Sequence, residues 1–421
     1  MDNFTYKNNE LFAENVAVAK IAKQVGTPFY CYSSATLEHH FKVFAEGFQG
    51  LDTLICFAVK SNSNLAVIKT LADAGAGADV VSEGEIRRAL KCGIAPNKII
   101  FSGIGKTASE MEFALNTGIY QFNVESEPEL ELLAKTAQKL NKTAPIAIRV
   151  NPDIDAGTSA KITTGLKTSK FGIDINHALE VYKKASKLKG IKIQAISVHI
   201  GSQITDFKPF EKAFIRVREF HAELAKNGIE INVLDLGGGI GVPYDAEKNP
   251  PPHPRDYAKI VREVFKSFKG RFCFEPGRVL VGNAGILVSE VIYVKPTDAR
   301  NFVIVDAAMN DLIRPSFYNA HHDIIPINQK SAAGNHKYDI VGPVCETGDT
   351  FAELRTMPEL KPGDLIAFRT AGAYGSVMAS TYNSRKIVPE VMVKGDKFEI
   401  TSRRMSYDEM FEREILPDWL K

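Results

Sequence analysis

The sequence predicts an α/β protein that consists of a (β/α)8 TIM barrel and a C-terminal all-β domain of barrel or sandwich type. Eight apolar runs of strand length alternate with amphipathic stretches of helix length over roughly 250 residues, the count and length typical of such a barrel. After Gly285 the helical periodicity fades, and strand-like runs separated by Pro and Gly turns follow. A doubly wound open sheet is the competing architecture, because strand count alone does not exclude it.

The eight predicted barrel strands are mostly continuous apolar runs, as expected for strands that are buried on both faces of a parallel sheet. They cover residues 54–59, 78–81, 98–101, 120–124, 146–150, 193–199, 231–236 and 271–274. The helix candidates between them cover residues 83–91, 109–116, 127–140, 177–188, 207–226 and 256–268. Two of these helices carry start signals, since Ser82 precedes Glu85 by three positions and Pro128 fits an early helical position.

The second domain is predicted from the change of pattern near residue 280. Its strand candidates cover residues 286–294, 302–305, 339–341, 364–368 and 387–393. Runs of strands that follow a run of alternating strands and helices indicate a separate domain. Residues 1–25 carry mixed signals, and we do not expect them to belong to the barrel repeat.

Composition excludes several classes of protein. The chain has 421 residues, with 52 Lys and Arg against 50 Asp and Glu, so its charge does not favour a nucleic acid or an anionic membrane as partner. It has no apolar run long enough to span a bilayer and no signal-peptide pattern at its start. Its five cysteines are scattered and lack a CxxC pair, which argues against a disulfide framework or a zinc site and favours a cytoplasmic protein.

Four motifs that can carry chemistry stand at the ends of predicted strands, where barrel enzymes place their active residues. Lys60 follows the first strand, His199 ends the sixth, the Gly-Gly-Gly-Ile-Gly run 237–241 follows the seventh, and Glu275 follows the eighth. Each motif alone has a simpler explanation: a solvated lysine, a core histidine, a glycine turn or a charged corner. Together they suit different parts of a single cofactor.

That cofactor is pyridoxal phosphate. A lysine amine that loses solvation becomes a neutral nucleophile able to bond an aldehyde. Glycine backbone can approach a phosphate without obstruction by Cβ, and an imidazole can stack on a ring. The carboxylate of Glu275 keeps a pyridine nitrogen protonated, which strengthens the ring as an electron sink.

Other motifs are absent. Gly105-Lys106-Thr107 resembles the end of a P-loop, but position 100, where the leading glycine belongs, is Ile100. The triple glycine fails the dinucleotide-binding spacing because position 242 is Val242. There is no HExxH or EF-hand pattern, and the pairs His39-His40 and His321-His322 lack a suitable arrangement of carboxylates, so no metal site is expected.

Six motifs resemble the signature set of the diaminopimelate decarboxylases, which are fold-type III pyridoxal-phosphate enzymes of the alanine-racemase-like class. They span nearly the whole chain in the family's order: Ala58-Val59-Lys60-Ser61-Asn62, His199-Ile200-Gly201-Ser202-Gln203, the run 237–241, Glu275-Pro276-Gly277-Arg278, Gly342-Pro343-Val344-Cys345-Glu346 and Ala373-Tyr374-Gly375. The resemblance implies a barrel plus a β-domain that also takes an N-terminal strand. We therefore expect the barrel at residues 26–280 and the β-domain at residues 1–25 and 281–421. It also implies a homodimer with shared active sites.

The resemblance implies the residues that hold the cofactor. Lys60 resembles the lysine that bonds it covalently, His199 the residue stacked on its ring, and Glu275 the partner of the pyridine nitrogen. Tyr374 resembles a residue that touches both cofactor and substrate. The implied phosphate-binding and neighbouring positions are Ser202, Gly239, Pro276, Gly277 and Arg278.

The resemblance also implies the residues that hold the substrate. Arg278, Arg314 and Tyr318 resemble a clamp on a substrate carboxylate, for which Arg forks are suited. Cys345 resembles the donor of a proton to Cα after carbon dioxide leaves, and Glu346 the acceptor of a substrate ammonium. In the family these last two come from the partner subunit. The implied catalytic residues are Lys60, His199, Glu275 and Cys345.

We therefore expect conversion of meso-2,6-diaminopimelate to L-lysine and carbon dioxide, the last step of lysine biosynthesis. Glu275 favours decarboxylation over racemisation, because alanine racemases place an Arg near the pyridine nitrogen. Glu346 favours diaminopimelate, because the related ornithine decarboxylases usually carry an Asp after the Cys.

Two alternatives stay open: a decarboxylase of ornithine, arginine or carboxynorspermidine, and a catalytically silent homologue that binds the cofactor. The sequence also departs from the family pattern at two positions. Ser159 stands where many members have a His, and Val279 where they have a Ser. Neither position has an essential role that we can name, so both bear on loop detail.

Overall fold

The computed structural model describes residues 2–157, 162, 164–166, 169–245, 253–329 and 336–421. Ser159 lies outside the described residues. The chain divides into two compact units. The first, here called the β unit, comprises residues 1–36, 244–248 and 281–421, and the second, the barrel unit, comprises residues 37–243 and 249–280.

The N-terminal residues begin the β unit. A three-stranded antiparallel sheet is formed by β1 (Phe4–Lys7), β2 (Glu10–Ala13) and β3 (Val16–Ala17), and α1 (Val18–Val25) follows. The next strand, β4 (Phe29–Ser33), is buried along its whole length and leads into α2 (Ser34–Gly47). The boundary expected at residue 26 thus falls before a strand that belongs to the β unit.

The barrel unit contains all eight predicted strands. Its strands are β5 (Thr53–Ala58), β6 (Gly77–Val80), β7 (Ile99–Phe101), β8 (Gln121–Val124), β9 (Ala144–Asn151), β10 (Ile173–Asp174), β11 (Ile191–Ser197), β12 (Val233–Asp235) and β13 (Arg271–Phe274). Its helices are α3 (Leu65–Asp73), α4 (Glu83–Lys91), α5 (Ala108–Thr117), α6 (Glu127–Lys139), α7 (Ile175–Ala185), α8 (Lys208–Lys226) and α9 (Pro254–Val264), and α10 (Arg278–Val281) ends it.

The barrel is closed. Its parallel strands pair in the order β9, β11, β12, β13, β5, β6, β7, β8, and β8 pairs again with β9, while the short β10 adds to the edge of β9. This closure confirms the predicted TIM barrel and excludes the open sheet. Side chains from successive strands fill the interior, as in other barrels of this class. One buried hydrophobic cluster of these strands consists of Leu54, Cys56, Ile100, Ala147, Ala195, Val233 and Cys273.

Local sequence signals explain where several barrel helices begin. Ser82 accepts a hydrogen bond from the backbone N–H of Glu85 at 3.3 Å, and Pro128 lies in the first turn of α6, as predicted. Helix α3 was not among the helix candidates. Asn64 caps it through the N–H of Ala66, and Leu71 lies on its buried face.

The C-terminal part of the β unit is mostly sheet, as predicted. Its strands are β14 (Gly285–Pro296), β15 (Asn301–Val305), β16 (Ile324–Pro326), β17 (His336–Val341), β18 (Thr350–Met357), β19 (Leu365–Phe368), β20 (Glu390–Lys394) and β21 (Lys397–Ser402), with helices α11 (Arg314–Tyr318) and α12 (Tyr407–Phe411). The main sheet has the order β18, β17, β15, β14, β4, β20, β21, and β19 pairs with β14 and β16. An N-terminal strand, β4, therefore completes the C-terminal sheet.

The β unit has its own core, to which N-terminal and C-terminal residues both contribute. Buried side chains of the small N-terminal sheet and of α1 pack with those of β4, β14 and β20. This core includes Phe4, Leu11, Ile21, Phe29, Ile286, Val288 and Val391.

Within the described part of the chain, no helix combines the length and hydropathy needed to cross a bilayer.

Candidate active site

Lys60 lies directly after the first barrel strand, on the single 3-10 turn Val59–Ser61. Its Nζ is 2.6 Å from Oδ2 of Asp79, at the end of the neighbouring strand β6. The Asp79 side chain is fully buried, whereas the Lys60 side chain is 37% exposed. Oδ1 of Asp79 has no hydrogen-bond partner among the described residues. A buried carboxylate thus holds the lysine amine at the carboxyl ends of the barrel strands.

Glu275 lies directly after the eighth strand, β13, and is buried. Its Oε1 accepts hydrogen bonds from Nδ2 of Asn123 at 2.9 Å and from Oγ of Ser102 at 3.3 Å. Burial, together with the negative charges of Asp235 and Asp79, raises the pKa of Glu275 well above its usual range. A cationic partner on this carboxyl would therefore stabilise its ionised form.

Asp235 connects the surroundings of Glu275 with the glycine run. Nδ2 of Asn123 also donates to Oδ2 of Asp235 at 2.9 Å, and the backbone N–H of Gly237 donates to Oδ1 at 3.1 Å. Burial raises the pKa of Asp235 to about 6. Two buried carboxyl groups therefore share the amide of Asn123, which fixes both relative to the barrel wall.

The glycine run is closely packed against its neighbours. A Cβ on Gly238 would lie 2.2 Å from the carbonyl oxygen of Glu275, and one on Gly239 would lie 2.4 Å from that of Gly201. Gly239 also has φ +116°, which side chains rarely allow. In the part of the chain that the structure describes, no hydrogen bond engages the backbone N–H of Gly239. This backbone can therefore approach an anion closely and donate to it.

The ring of His199 is held in one orientation. Its Nδ1 accepts a hydrogen bond of 3.2 Å from the backbone N–H of Gly238, which places the ring proton on Nε2. Burial, followed by the positive charges of Arg149 and Lys60, lowers the pKa of His199 well below its usual range. The imidazole is therefore neutral near pH 7 and suited to stacking.

The Glu-Pro-Gly-Arg corner packs on the Lys60 turn. The carbonyl of Pro276 accepts a hydrogen bond of 3.1 Å from the N–H of Ala58, and a Cβ on Gly277 would lie 3.0 Å from Oγ of Ser61. Arg278 is buried, and its Nη2 donates to Oγ of Ser202 at 3.1 Å. The structure thus brings together Ser202, which the resemblance assigns to the phosphate, and Arg278, which it assigns to both cofactor and substrate.

Within the β unit, Arg314 is buried at the start of α11. Its Nε donates to Nε2 of His322 at 3.1 Å, and its guanidinium lies 4.6 Å from the ring centroid of Tyr244 and 5.9 Å from that of Tyr318. His322 in turn bonds the carbonyl of Arg369 through Nδ1 at 2.8 Å, so its proton lies on Nδ1. Arg314 is therefore oriented by a neutral imidazole and aromatic faces.

The other predicted residues of the β unit lie on loops. Cys345 and Glu346 are exposed, and the backbone N–H of Cys345 donates to Oδ1 of Asn383 at 3.3 Å. A hydrogen bond to Glu346 raises the pKa of the Tyr382 hydroxyl. Tyr374 is half-buried with φ +55°, a left-handed conformation that is uncommon for a residue with a side chain. Cys345 is thus bonded through its backbone, whereas Glu346 is bonded through its side chain.

Sequence reasoning did not single out the polar residues that surround Lys60 and Glu275. Asp79, Asn123 and Asp235 each lie inside a predicted apolar strand, and Ser102 follows another. A charged or amide side chain in a strand of a closed barrel must find polar partners, because an unpaired buried polar group is costly. The presence of polar residues within otherwise apolar strands was therefore the sequence signal that could have identified these site residues.

One further cluster lies beside the second histidine pair, for which no suitable arrangement of carboxylates was expected. Ligand atoms of Asp245, His321 and Asp323 lie within 4.8 Å of one another. The guanidinium of Arg355 is 3.3 Å from Nε2 of His321 and 3.7 Å from Asp323. Because Arg355 already supplies positive charge to this cluster, its geometry does not require a metal ion.

The barrel residues fit pyridoxal phosphate. The closely packed glycine run leaves the backbone N–H of Gly239 for a phosphate, at the loop after strand seven where barrels of this class bind one. The amine of Lys60, paired with Asp79 and partly exposed, stands at the same end of the barrel. Glu275 receives hydrogen bonds from neutral donors, so it can accept one from a protonated pyridine nitrogen.

Known proteins give the same assignment. The family model described as "Pyridoxal-dependent decarboxylase, pyridoxal binding domain" matches residues 34–282. The chain is 47% identical to a diaminopimelate decarboxylase of Zymomonas mobilis over 420 residues, 99% of both chains. The crystal structure of diaminopimelate decarboxylase from Helicobacter pylori complexed with L-lysine is 42% identical with a TM-score of 0.90, and the match covers 94% of this chain and 98% of that one.

A diaminopimelate decarboxylase from M. jannaschii, also solved in complex with L-lysine, matches with a TM-score of 0.95 at 34% identity. That match covers 100% of this chain and 99% of the other. The likeness therefore includes both the barrel unit and the β unit. The chain belongs to the pyridoxal-dependent decarboxylases and, within them, to the diaminopimelate decarboxylase family.

Proposed function

We propose that this chain removes the carboxylate at the D-centre of meso-2,6-diaminopimelate and releases L-lysine and carbon dioxide, the last step of lysine biosynthesis. One observation carries the proposal: at the end of a closed barrel, the amine of Lys60 is paired with a buried carboxylate in the same unit as buried Glu275 and a glycine run open to an anion. The likeness over the whole chain to diaminopimelate decarboxylases supports the substrate.

The residues assigned to the cofactor hold pyridoxal phosphate in the barrel and polarise its ring. Bound pyridoxal phosphate supplies a ring that accepts the electron pair released when the carboxylate leaves. Lys60 provides the amine that bonds the cofactor, and Asp79 orients its Nζ. Glu275 would accept a hydrogen bond from the pyridine nitrogen and keep it protonated, and neutral His199 would stack on the ring. Gly239, Ser202 and the backbone at Gly277 hold the phosphate.

The substrate residues act on its two amino-acid ends. Arg314, with Tyr318 and Arg278, binds a substrate carboxylate, because a guanidinium matches a carboxylate with two parallel hydrogen bonds. Glu346 binds an ammonium group of the substrate. Cys345 donates the proton that replaces the carboxylate on Cα. Tyr374 contacts both cofactor and substrate.

The test of substrate is a panel assay of carbon dioxide release by the purified holoenzyme. Diaminopimelate, ornithine, arginine and carboxynorspermidine are compared at equal concentration. We expect release from meso-diaminopimelate, with L-lysine as the product, and at least a hundredfold less from the others, because Glu346 and the arginine clamp fit a substrate with two amino-acid ends. Preference for another amino acid would replace the proposed substrate, and no release from any would favour a silent homologue.

We further propose that the enzyme works in the cytoplasm as a homodimer, with the barrel unit of one protomer receiving Cys345 and Glu346 from the partner subunit. Mixing unfolded Lys60→Ala and Cys345→Ala chains and refolding them tests this arrangement. Half of the dimers would be mixed, and each would hold one intact site, so about a quarter of the wild-type activity should return. If the mixture stays as inactive as its parents, the sites are not shared.

A further inference from the structure

The loop that carries Cys345 and Glu346 is built around the carboxylate of Asp349, a residue that the proposed mechanism does not use. Asp349 is buried, with 3% of its surface exposed. Its Oδ2 accepts a hydrogen bond from the backbone N–H of Val344 at 2.7 Å, one position before the cysteine. Its Oδ1 accepts a second from the N–H of Met309 at 2.6 Å. One carboxylate thus binds the backbone of two separate segments.

The backbone of the loop closes on the same residue. The N–H of Gly342 donates to the carbonyl of Asp349 at 2.9 Å, and the N–H of Asp349 donates to the carbonyl of Glu346 at 3.0 Å. A Cβ on Gly342 would lie 2.3 Å from Oδ2 of Asp349, so only glycine leaves room for the carboxylate at that position. The loop conformation and the placement of Asp349 therefore depend on each other.

The second segment leads to the residues that clamp the substrate carboxylate. Met309 is five residues before Arg314, the first residue of α11, and Tyr318 is the last residue of that helix. Oγ of Ser316 in α11 also donates to the carbonyl of Gly348, which adds a second connection between this helix and the cysteine loop. The loop and the helix are thus connected twice.

We propose that Asp349 is a positioning residue for the decarboxylation proposed above: it anchors the loop that presents the proton donor Cys345 and the ammonium-binding Glu346 to the partner's site, by bonding that loop to the segment before α11 of its own chain. A displacement of about 1 Å in such a group can cost a hundredfold in rate. The carboxylate suits this role because both of its oxygens accept from backbone N–H groups. Its task is geometric, and it does not touch the substrate.

Another buried aspartate of the β unit provides a matched control. Asp339 on β17 is 5% exposed, and its Oδ1 accepts a hydrogen bond from the backbone N–H of Leu354 at 2.7 Å. Its Oδ2 is 2.7 Å from Nη1 of Arg300. Asp339 thus resembles Asp349 in burial and in bonding to backbone, but its carboxylate bonds Leu354 and Arg300 instead of the cysteine loop and the segment before α11.

The experiment compares Asp349→Asn with Asp339→Asn. An asparagine at 349 places an amide N–H against a backbone N–H donor and so loses one of the two connections. We expect kcat/KM of the Asp349→Asn holoenzyme to fall between about tenfold and a hundredfold, with both a lower kcat and a higher KM. The affinity for pyridoxal phosphate, followed by absorbance, should stay within about twofold, since the hydrogen bonds of the Asp349 carboxylate go to Val344 and Met309 and not to a cofactor residue. Asp339→Asn should lose thermal stability but keep its activity per folded enzyme.

Ser316→Ala removes the second connection at an exposed hydroxyl, so it tests the same idea if Asp349→Asn folds poorly. We expect a loss of a few-fold in kcat/KM with an unchanged melting temperature. The alkylation rate of Cys345 by iodoacetamide, with Cys345→Ala as the blank, gives a readout that does not need turnover. It should change several-fold in Asp349→Asn and remain unchanged in Asp339→Asn.

The outcomes separate this proposal from the proposed function. If the wild type releases no carbon dioxide from diaminopimelate, the function fails, but the alkylation comparison still decides whether Asp349 fixes the loop. If Asp349→Asn and Asp339→Asn lose activity only in proportion to their unfolded fraction, and alkylation is the same in both, Asp349 has only a structural role and the proposal is overturned.

Discussion

The barrel unit and the β unit hold their predicted site residues by different means. In the barrel unit, Glu275 and Lys60 follow strands directly and bond buried side chains such as Asn123 and Asp79. In the β unit, Cys345 and Glu346 stand exposed on a loop that is fixed through its backbone. Strands of a closed barrel fix the positions of their ends, whereas a loop needs its own internal support. Substitutions in the barrel unit should therefore affect cofactor binding, and substitutions in the cysteine loop of the β unit should affect turnover without loss of the cofactor.

The largest expected effect belongs to the barrel unit. Lys60→Ala removes the amine that bonds the cofactor, so turnover should fall by at least about 10⁴-fold and the visible absorbance of the bound cofactor should disappear. Activity and an absorbance spectrum measured on the same preparation check this result. Normal turnover in the variant would refute the assignment of Lys60.

A smaller effect, on turnover but not on cofactor affinity, is expected for the β unit. Cys345→Ala removes a proton donor but leaves the barrel intact, so kcat should fall by about 10² to 10⁴-fold while cofactor affinity remains unchanged. Steady-state kinetics and an absorbance titration with pyridoxal phosphate separate the two quantities. Loss of the cofactor without a separate loss of kcat would contradict the proton-donor role and the contrast between the units.

A substitution in the glycine run tests whether the barrel unit determines cofactor affinity. Gly239→Ala places a Cβ 2.4 Å from the carbonyl oxygen of Gly201, so the phosphate-binding backbone must move. Cofactor affinity should fall by about tenfold or more, because the donors are displaced by a large fraction of an ångström. Gly228→Ala is the control, since Gly228 also has a positive φ (+77°) but a Cβ there would meet nothing within 4 Å. Equal cofactor affinity in the two variants would show that the backbone at Gly239 does not bind the cofactor phosphate.

The last expected effect concerns stability and leaves the cofactor and turnover unchanged. In the β unit, burial raises the pKa of Asp311 to about 7, against an ordinary value near 4. Between these values the folded protein keeps a proton that the unfolded chain has lost, so stability should decline as pH rises from 4 to 7, by at most about 1.4 kcal/mol per pH unit. Asp311→Asn should flatten this decline. Urea unfolding of both proteins at several pH values measures it, and an unchanged slope would show that Asp311 does not cause it.

The sequence predicted the parts of the fold that depend on local pattern. The barrel strands were mostly apolar runs, and Lys60 and Glu275 stood at the ends of such runs, so the location of the barrel site followed from the fold. The partner of β4 could not be predicted in this way. The run Phe29–Ser33 is apolar enough for either unit, and only long-range pairing with β14 and β20 assigns it to the β unit.

The candidate site shows the same limit. Asp79 and Asp235 come close to other polar groups only when the barrel closes, because their partners lie on other strands. Likewise, the bond from Met309 to Asp349 joins residues 40 positions apart, which no local pattern indicates. Residue type predicted what each motif can do chemically. The folded chain was needed to identify the groups that hold each motif in place.

The position of β4 between β14 and β20 has a consequence for how the protein is made. The ribosome releases β4 early, but its second neighbour, Glu390–Lys394, emerges only near the end of translation. Until then the edge of Phe29–Ser33 that pairs with β20 has unpaired backbone N–H and C=O groups, and its apolar side chains are incompletely covered. Such an edge favours association with other chains. A fragment starting at residue 281 would lack the middle of its sheet, and we expect it to precipitate unless a peptide containing Phe29–Ser33 is supplied.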